Sequence, residues 1–169
     1  MTMAAAIAIT TLALGLAGLA MQRFGSGLAK YRGRRLVVCP ETGQPAAVLL
    51  AAWRLAWSAI FRPPALRLQD CSRWRERAAC GQPCLAQIEA APEDCLARRI
   101  LIAWYQDKSC IFCGQQLGQV DWRLHKPCVL SPEQSLFEWR SIQPERIPIV
   151  LQTHQPVCRT CFIAETHIL

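Results

Sequence analysis

The sequence lacks the motifs that mark the common catalytic and nucleotide-binding sites. It has no glycine-rich phosphate-binding loop and no serine nucleophile motif between a strand and a helix. Its twelve acidic residues are scattered, so no paired carboxylates stand out for acid–base catalysis. None of its three histidines directly follows a Cys-x-x-Cys pair, which excludes covalent attachment of c-type haem. We therefore predict no catalytic residue and favour a protein that is not an enzyme.

Acidic residues are scarce in the first part of the chain, and internal repeats and low-complexity tracts are missing throughout. Residues 1–77 carry eleven Lys and Arg against three acids, a net charge of +8. Residues 78–169 carry eight against nine, a net charge of −1. A nucleic-acid-binding protein is more often basic throughout. We therefore predict no specific nucleic-acid partner and expect the basic part to act at a local surface.

The longest uncharged stretch lies at residues 2–21, which are mostly Ala, Leu, Ile and Gly. At about 1.5 Å per residue, a helix of this length crosses the ~30 Å hydrocarbon core of a membrane. The next fourteen residues hold five basic residues and no acid, which predicts that the following chain is cytoplasmic. A cleaved signal peptide is the alternative, but it needs a basic segment before its apolar run. We predict a single-pass membrane anchor over 1–21.

A basic juxtamembrane linker is predicted over 22–45. Within it, the Gly-Ser-Gly sequence at 25–27 predicts a flexible joint, and the basic cluster at 31–35 is expected near anionic lipid headgroups. A short strand at 36–38 then leads into a turn at 39–43.

An amphipathic or interfacial helix is predicted over 46–65, with its helical residues at 46–61. It follows Pro45 and stops before Pro63. Trp53 and Trp57, spaced i and i+4, suit a helix that lies in the membrane interface. A buried helix of the domain core is the alternative.

The remaining residues, 66–169, are predicted to form a cysteine-rich, metal-binding domain. Its first part holds four cysteines that could form a second four-sulfur metal site or two disulfides: Cys71, Cys80, Cys84 and Cys95. Cys39 is a possible substitute ligand from its own turn. We prefer the metal site because the predicted topology places these thiols in a reducing compartment. A helix is predicted to begin at Pro92 and reach Tyr105, and Cys128 is expected to be a buried apolar residue.

Two Cys-x-x-Cys pairs near the C-terminus carry the most specific signal in the sequence: Cys110 with Cys113, and Cys158 with Cys161. Four thiolates in two such pairs can hold one tetrahedral metal ion, which is usually zinc. Gly114 can adopt the positive φ that a tight turn around the first pair needs. His154 lies four residues before the second pair and could support or replace a ligand.

The order of elements around these pairs resembles a treble-clef zinc finger. Two strands are predicted at 120–130 and 136–142 with a turn between them. A short helix or an extended connection at 144–152 follows, and a last helix is predicted at 162–169. The resemblance covers about 108–169, and zinc ribbons share the same cysteine spacing. It implies a structural metal and an interaction surface.

These observations predict an α+β fold in which an N-terminal transmembrane helix precedes a small, metal-stabilised domain with a treble-clef or zinc-ribbon-like C-terminal part. The predicted function is a membrane-anchored zinc protein that acts as an interaction or assembly module for a protein partner. The alternative is an iron, iron–sulfur or thiol redox protein that serves electron transfer at the membrane. Zinc is preferred because Phe162 follows the second pair, where a rubredoxin-like knuckle would have glycine.

Overall fold

A computed structural model describes residues 3–76, 79–118, 122 and 126–167. The first element is the helix α1, Met3–Tyr31. Its segment Ile7–Tyr31 is long and apolar enough to cross a membrane, and its most apolar stretch is not buried against the rest of the protein. Length and composition of this kind are shared by membrane spans and signal sequences. The predicted apolar N-terminal helix is therefore confirmed, and it continues ten residues beyond the expected anchor.

The flexible joint predicted at 25–27 is wrong, because these residues lie inside α1. The end of α1 packs on a second helix, α2, Ala52–Ser58. A Cβ atom on Gly27 would lie 3.2 Å from the Cα atom of Ala56. Glycine lets the two helix backbones approach closely, and this packing outweighs its low helix propensity. The segment predicted as a linker is thus largely ordered helix and strand.

The first sheet consists of β1, Arg34–Val38, β2, Pro45–Leu50, and β3, Leu68–Cys71, in the order β1-β2-β3 with antiparallel pairing. The predicted strand and turn after residue 35 are confirmed. The helix expected over 46–61 is wrong in its first part, because β2 occupies those residues. As the central strand, β2 is mostly buried, and a short continuous apolar run does not distinguish a buried strand from a helix by periodicity.

The side chain of Arg35 is fully buried rather than close to a membrane surface. Its Nη2 donates a hydrogen bond of 2.7 Å to the carbonyl of Lys30, and its Nη1 donates one of 3.0 Å to that of Tyr31. These carbonyls belong to the last turn of α1, where helix C=O groups lack intrahelical partners. Arg35 therefore caps α1. Of the three arginines in the predicted basic cluster, Arg32 and Arg34 are exposed and Arg35 is buried.

Two helices follow the first sheet: α3, Leu85–Ala90, and α4, Ala97–Tyr105. The helix predicted from Pro92 begins later than expected, because Cys95 and Leu96 pair with β1. The N–H of Leu36 donates a hydrogen bond of 2.7 Å to the carbonyl of Cys95. Residues 92–95 form turns, and the contact with the sheet holds Leu96 in an extended conformation directly before α4.

The second sheet contains β4, Cys128–Leu130, β5, Leu136–Phe137, and β6, Gln155–Val157, in the order β5-β4-β6. All pairs are antiparallel. The predicted hairpin is confirmed at β4, the turn and β5, but its second strand gives way to a short 3-10 turn at Trp139–Ser141. The part of the first strand prediction at 120, 121 and 123–125 lies outside the described residues.

The chain after the hairpin is helical on both sides of β6. A 3-10 turn, Pro144–Arg146, leads into α5, Ile147–Thr153, which is the helical one of the two predicted alternatives. The helix α6, Arg159–His167, ends the described chain. Strand β6 was not predicted, because a three-residue strand that contains Pro156 gives no alternating pattern. Side chains of the first sheet and of the helices α4 and α5 form one apolar cluster: Leu36, Ala47, Leu101 and Ile147. The described structure is a mixed arrangement of helices and sheets.

Candidate metal centre

The first cysteine pair lies in a tight turn that the backbone closes on itself. The N–H of Cys110 donates a hydrogen bond of 2.9 Å to the carbonyl of Gln115, and the N–H of Gly114 donates one of 2.9 Å to that of Cys110. Gly114 has a φ of 72°, as expected from its position after the pair. Side chains other than glycine rarely adopt this conformation. The turn therefore directs the Cys110 and Cys113 thiols to one side.

The second pair lies where β6 passes into α6. Cys158 directly follows β6, and Cys161 is in the first turn of α6. The N–H of Cys161 lies 3.3 Å from the Sγ atom of Cys158, a geometry that stabilises negative charge on that sulfur. The N–H of Ile111 donates a hydrogen bond of 3.0 Å to the carbonyl of Pro156, which fixes the first turn against β6. This contact brings the two pairs together.

The four sulfur atoms of Cys110, Cys113, Cys158 and Cys161 all lie within 4.8 Å of one another. The Sγ atoms of Cys113 and Cys158 are 3.7 Å apart. A tetrahedral ion with metal–sulfur bonds of ~2.3 Å places its sulfur ligands about 3.8 Å from one another. The spacing of the thiols therefore matches a four-sulfur metal site. Cys110 and Cys158 are buried, Cys161 is half-buried and Cys113 is exposed.

The electrostatics of the cluster favour a bound cation. Burial opposes ionisation of Cys110, but hydrogen bonds from the backbone N–H groups of Cys158, Cys113 and Phe112 outweigh it and lower the pKa of this thiol to about 7. Burial and the neighbouring thiols raise the pKa of Cys161. Four thiolates this close repel one another unless a positive ion lies between them.

A buried hydrogen-bond network lies beside the cluster. Tyr105, at the end of α4, is fully buried and donates a hydrogen bond of 2.6 Å to the carbonyl of Cys128 on β4. The indole N–H of Trp139 donates to the Tyr105 oxygen at 3.1 Å. Cys128 is buried as predicted, and burial raises the pKa of its thiol to about 11. The sequence identified Tyr105 only as a helix end, because no spacing rule relates it to Cys128.

An ion pair fixes the start of α6. Arg159 binds the carboxylate of Glu138, which follows β5, and its guanidinium lies 5.3 Å from the ring centre of Phe162. The hydrogen bond from Arg159 holds the pKa of Glu138 below its usual value. Neither residue was singled out in the sequence, where they are twenty-one positions apart and belong to no motif.

The other candidate residues lie apart from this cluster. His154 contacts Thr153 through its Nδ1 atom at 2.8 Å and faces the ring of Phe137, and it does not belong to the four-thiol group. Cys39, Cys71, Cys80 and Cys84 line one small cavity next to the first sheet. Cys95 does not line that cavity. Its thiol lies 3.8 Å from the carbonyl of Gln87.

The described chain thus has the features of a cysteine-rich protein with one apolar N-terminal helix and a four-thiol cluster that can hold a metal ion. Comparisons of the chain with protein-family models, with curated proteins and with solved structures find no match.

Proposed function

We propose that Cys110, Cys113, Cys158 and Cys161 bind zinc in a closed, structural site. The observation that carries this proposal is the mutual distance of their sulfur atoms, all within 4.8 Å. Zinc prefers tetrahedral thiolate sites, and a site with four protein ligands has no position left for a substrate. The proposed role is accordingly structural rather than catalytic.

The arrangement around the ion supports a treble-clef or zinc-ribbon-like module. A cysteine turn, the β4–β5 hairpin and a helix with a cysteine pair at its start occur in this order, with α5 and β6 between the hairpin and the helix. The two turns differ, because the first ends at Gly114 with positive φ, whereas the second continues into α6. A rubredoxin-like iron site would be expected to repeat the glycine turn, so this difference favours zinc over iron.

We further propose that α1 anchors the protein in a membrane. Its apolar side chains are exposed along the helix; those of Leu14 and Met21, for example, are each 73% exposed. Near the end of the apolar run, the Phe24 ring lies 4.9 Å from that of Trp53 and 5.1 Å from that of Trp57. Tryptophan is enriched at the boundary between lipid and water, so α2 fits the interface. The basic residues after Met21 favour a cytoplasmic position for the remaining chain.

The proposed biological role is that of a non-enzymatic interaction or assembly module held at the membrane for a protein partner. The zinc-bound module would present a stable surface close to the bilayer. The alternative role is iron or thiol redox chemistry at the membrane with the same four cysteines. It predicts a different colour of the protein and a different oxidation state of the metal or of the thiols.

Metal analysis of the full-length protein in mild detergent tests the zinc proposal. Wild-type protein should be colourless. The Cys158→Ser variant should hold one zinc equivalent per chain fewer than wild type. The matched control is Cys128→Ser, which alters a buried thiol outside the four-sulfur group and should retain that equivalent. Visible absorption with bound iron would support the redox alternative. A Cys110–Cys113 disulfide in rapidly quenched protein would contradict a metal site.

The topology requires a separate experiment with membrane vesicles. Protease should reach the domain after residue 31 from the cytoplasmic face only, and the mature chain should retain its apolar helix. A mature N-terminus near residue 21 would instead identify α1 as a signal sequence.

A further inference from the structure

We propose that Cys39, Cys71, Cys80 and Cys84 form a second metal site, distinct from the C-terminal one. Its ligand would be a thiophilic divalent cation, with zinc as the expected occupant because four thiolates select tetrahedral ions. The four cysteines line the same cavity of about 20 Å³. Roughly 10–15 Å³ is enough for one water molecule, so the cavity has room for a single ion.

The topology of the first sheet brings two of these residues together. Strands β1 and β3 lie on either side of β2 and run in the same direction. Cys39 directly follows β1, and Cys71 is the last residue of β3. Both strands end where β2 begins, and the N–H of Ser72 donates a hydrogen bond of 2.9 Å to the carbonyl of Ala47 there. The two thiols therefore lie at the same end of the sheet, on opposite sides of β2.

The other two cysteines come from a loop that is fixed to the first residue of β3. Gln82, between Cys80 and Cys84, has a φ of 61°, and its Oε1 atom accepts a hydrogen bond of 3.0 Å from the N–H of Leu68. The N–H of Gln82 also lies 3.3 Å from the Sγ atom of Cys80. A non-glycine residue at positive φ is strained and persists where the surroundings hold it. The loop therefore turns both thiols towards β3 and stabilises charge on one of them.

The residues around the cavity combine charged and apolar groups. A divalent ion with four thiolates has a net charge of −2, and the two charged residues that line the cavity, Arg73 and Glu41, are of opposite sign. Arg73 also pairs with Glu76 at 3.0 Å. The apolar side chains of Leu68 and Trp74 line it as well, which limits the access of water. Cys84 is buried, whereas the other three cysteines are half-buried. The apolar wall disfavours free thiolates but strengthens their attraction to a bound cation, so the thiols are expected to ionise as the ion binds.

The C-terminal cluster is the more compact of the two sets. No three of the four cysteines around the cavity have their sulfur atoms within 4.8 Å of one another, a condition that all four C-terminal cysteines meet. Cys39 lies in an exposed turn in which the N–H groups of Thr42 and Gly43 donate to its carbonyl. Binding would therefore draw the thiols inward by side-chain rotation, with the release of a proton from each thiol that becomes a ligand.

Cys95 provides a matched control for this site. It is half-buried, as Cys71 is, and burial raises the pKa of both thiols. Its sulfur lies near the carbonyl of Gln87 and outside the cavity. A serine at position 95 thus removes a comparable thiol without changing the proposed ligands.

The test is a zinc count on full-length protein in detergent, with variants that remove one site at a time. Wild-type protein should hold two zinc ions per chain, and Cys95→Ser should retain both. Cys39→Ser and Cys84→Ser should each lose one ion, while Cys158→Ser should lose the other. Cys39→Ser is included because its turn is exposed, so the variant should fold even if replacement of buried Cys84 disturbs the core.

Two results would overturn the proposal. One is a wild-type count of one zinc that is abolished by Cys158→Ser and unaffected by Cys39→Ser and Cys84→Ser. The other is a disulfide between any two of the four cysteines in protein quenched under native conditions. Both results leave the C-terminal site standing. A wild-type count of one zinc that is retained in Cys158→Ser but lost in Cys39→Ser and Cys84→Ser would refute the C-terminal site alone.

Discussion

The phenol of Tyr105 and the backbone carbonyl of Cys128 are joined by a hydrogen bond of 2.6 Å in the interior of the protein. Tyr105 ends α4, and Cys128 begins β4, so this bond connects the helix to the sheet that carries the proposed zinc site. Because half-buried Trp139 donates to the same phenol oxygen, one tyrosine is the partner of a buried carbonyl and of an indole N–H. Buried groups that lose such partners destabilise the fold.

Replacement of Tyr105 by phenylalanine should therefore destabilise the protein by about 1–3 kcal/mol, the typical effect of leaving a buried polar group without its partner. Denaturant unfolding at neutral pH measures this change. Tyr31→Phe is the control, since among the described residues the Tyr31 phenol makes no hydrogen bond. Equal effects of the two substitutions would show that the Tyr105 hydrogen bonds add nothing to stability.

The same residue predicts a dependence on alkaline pH. Burial raises the pKa of Tyr105 well above the value of about 10 expected in an unfolded chain. Its contribution to stability is therefore complete below pH ~10 and is lost as the pH rises further, because the unfolded state then releases the phenol proton more readily. The stability difference between wild type and Tyr105→Phe should shrink above that pH. A constant difference from pH 8 to pH 11 would contradict the shift.

Arg35 should be important for the end of α1. Replacement by methionine would leave the carbonyls of Lys30 and Tyr31 without their buried donor, which should cost about 1–3 kcal/mol. Arg34→Met is the matched control on the same strand, because Arg34 is exposed and surface substitutions usually change stability by about 0.5 kcal/mol or less. Thermal unfolding of both variants measures the difference. A similar midpoint for the two would refute the capping role of Arg35.

The sequence allowed the proposed C-terminal site to be predicted in detail, since two cysteine pairs with a fixed internal spacing restrict the local backbone. The turn at Gly114 and the position of Cys161 at a helix start followed from that spacing. The first sheet was predicted less accurately than the C-terminal site. The apolar run at 45–50 is buried through its position in the centre of a sheet, a property set by β1 and β3 rather than by its own residues. Similarly, Arg35 is basic in the sequence but buried in the fold, because the carbonyls at the end of α1 provide its partners.

The contact between α1 and α2 depends on the size of residue 27. Gly27→Leu should separate the helices, because even a Cβ atom there would lie 3.2 Å from the Cα atom of Ala56. We expect faster hydrogen exchange in α2 and a change in the fluorescence of Trp53 and Trp57. Gly25→Leu is the control, since a Cβ atom at that position meets no other atom within 4 Å. Unchanged exchange in Gly27→Leu would show that α2 is held by the sheet alone.

Removal of the C-terminal metal should loosen the chain from residue 108 onward as one unit. The two cysteine pairs lie at either end of the segment that contains the second sheet, and the binding energy of such a site is largely folding energy. In Cys158→Ala, hydrogen exchange should therefore accelerate throughout 108–167, and Trp139 and Phe162, which pack against this core, should become exposed. Residues 34–71 should keep their protection, because the first sheet has its own core. If 108–167 stays equally protected in this variant, the site is not structural, and a redox or thiol-exchange role becomes the better explanation for its cysteines.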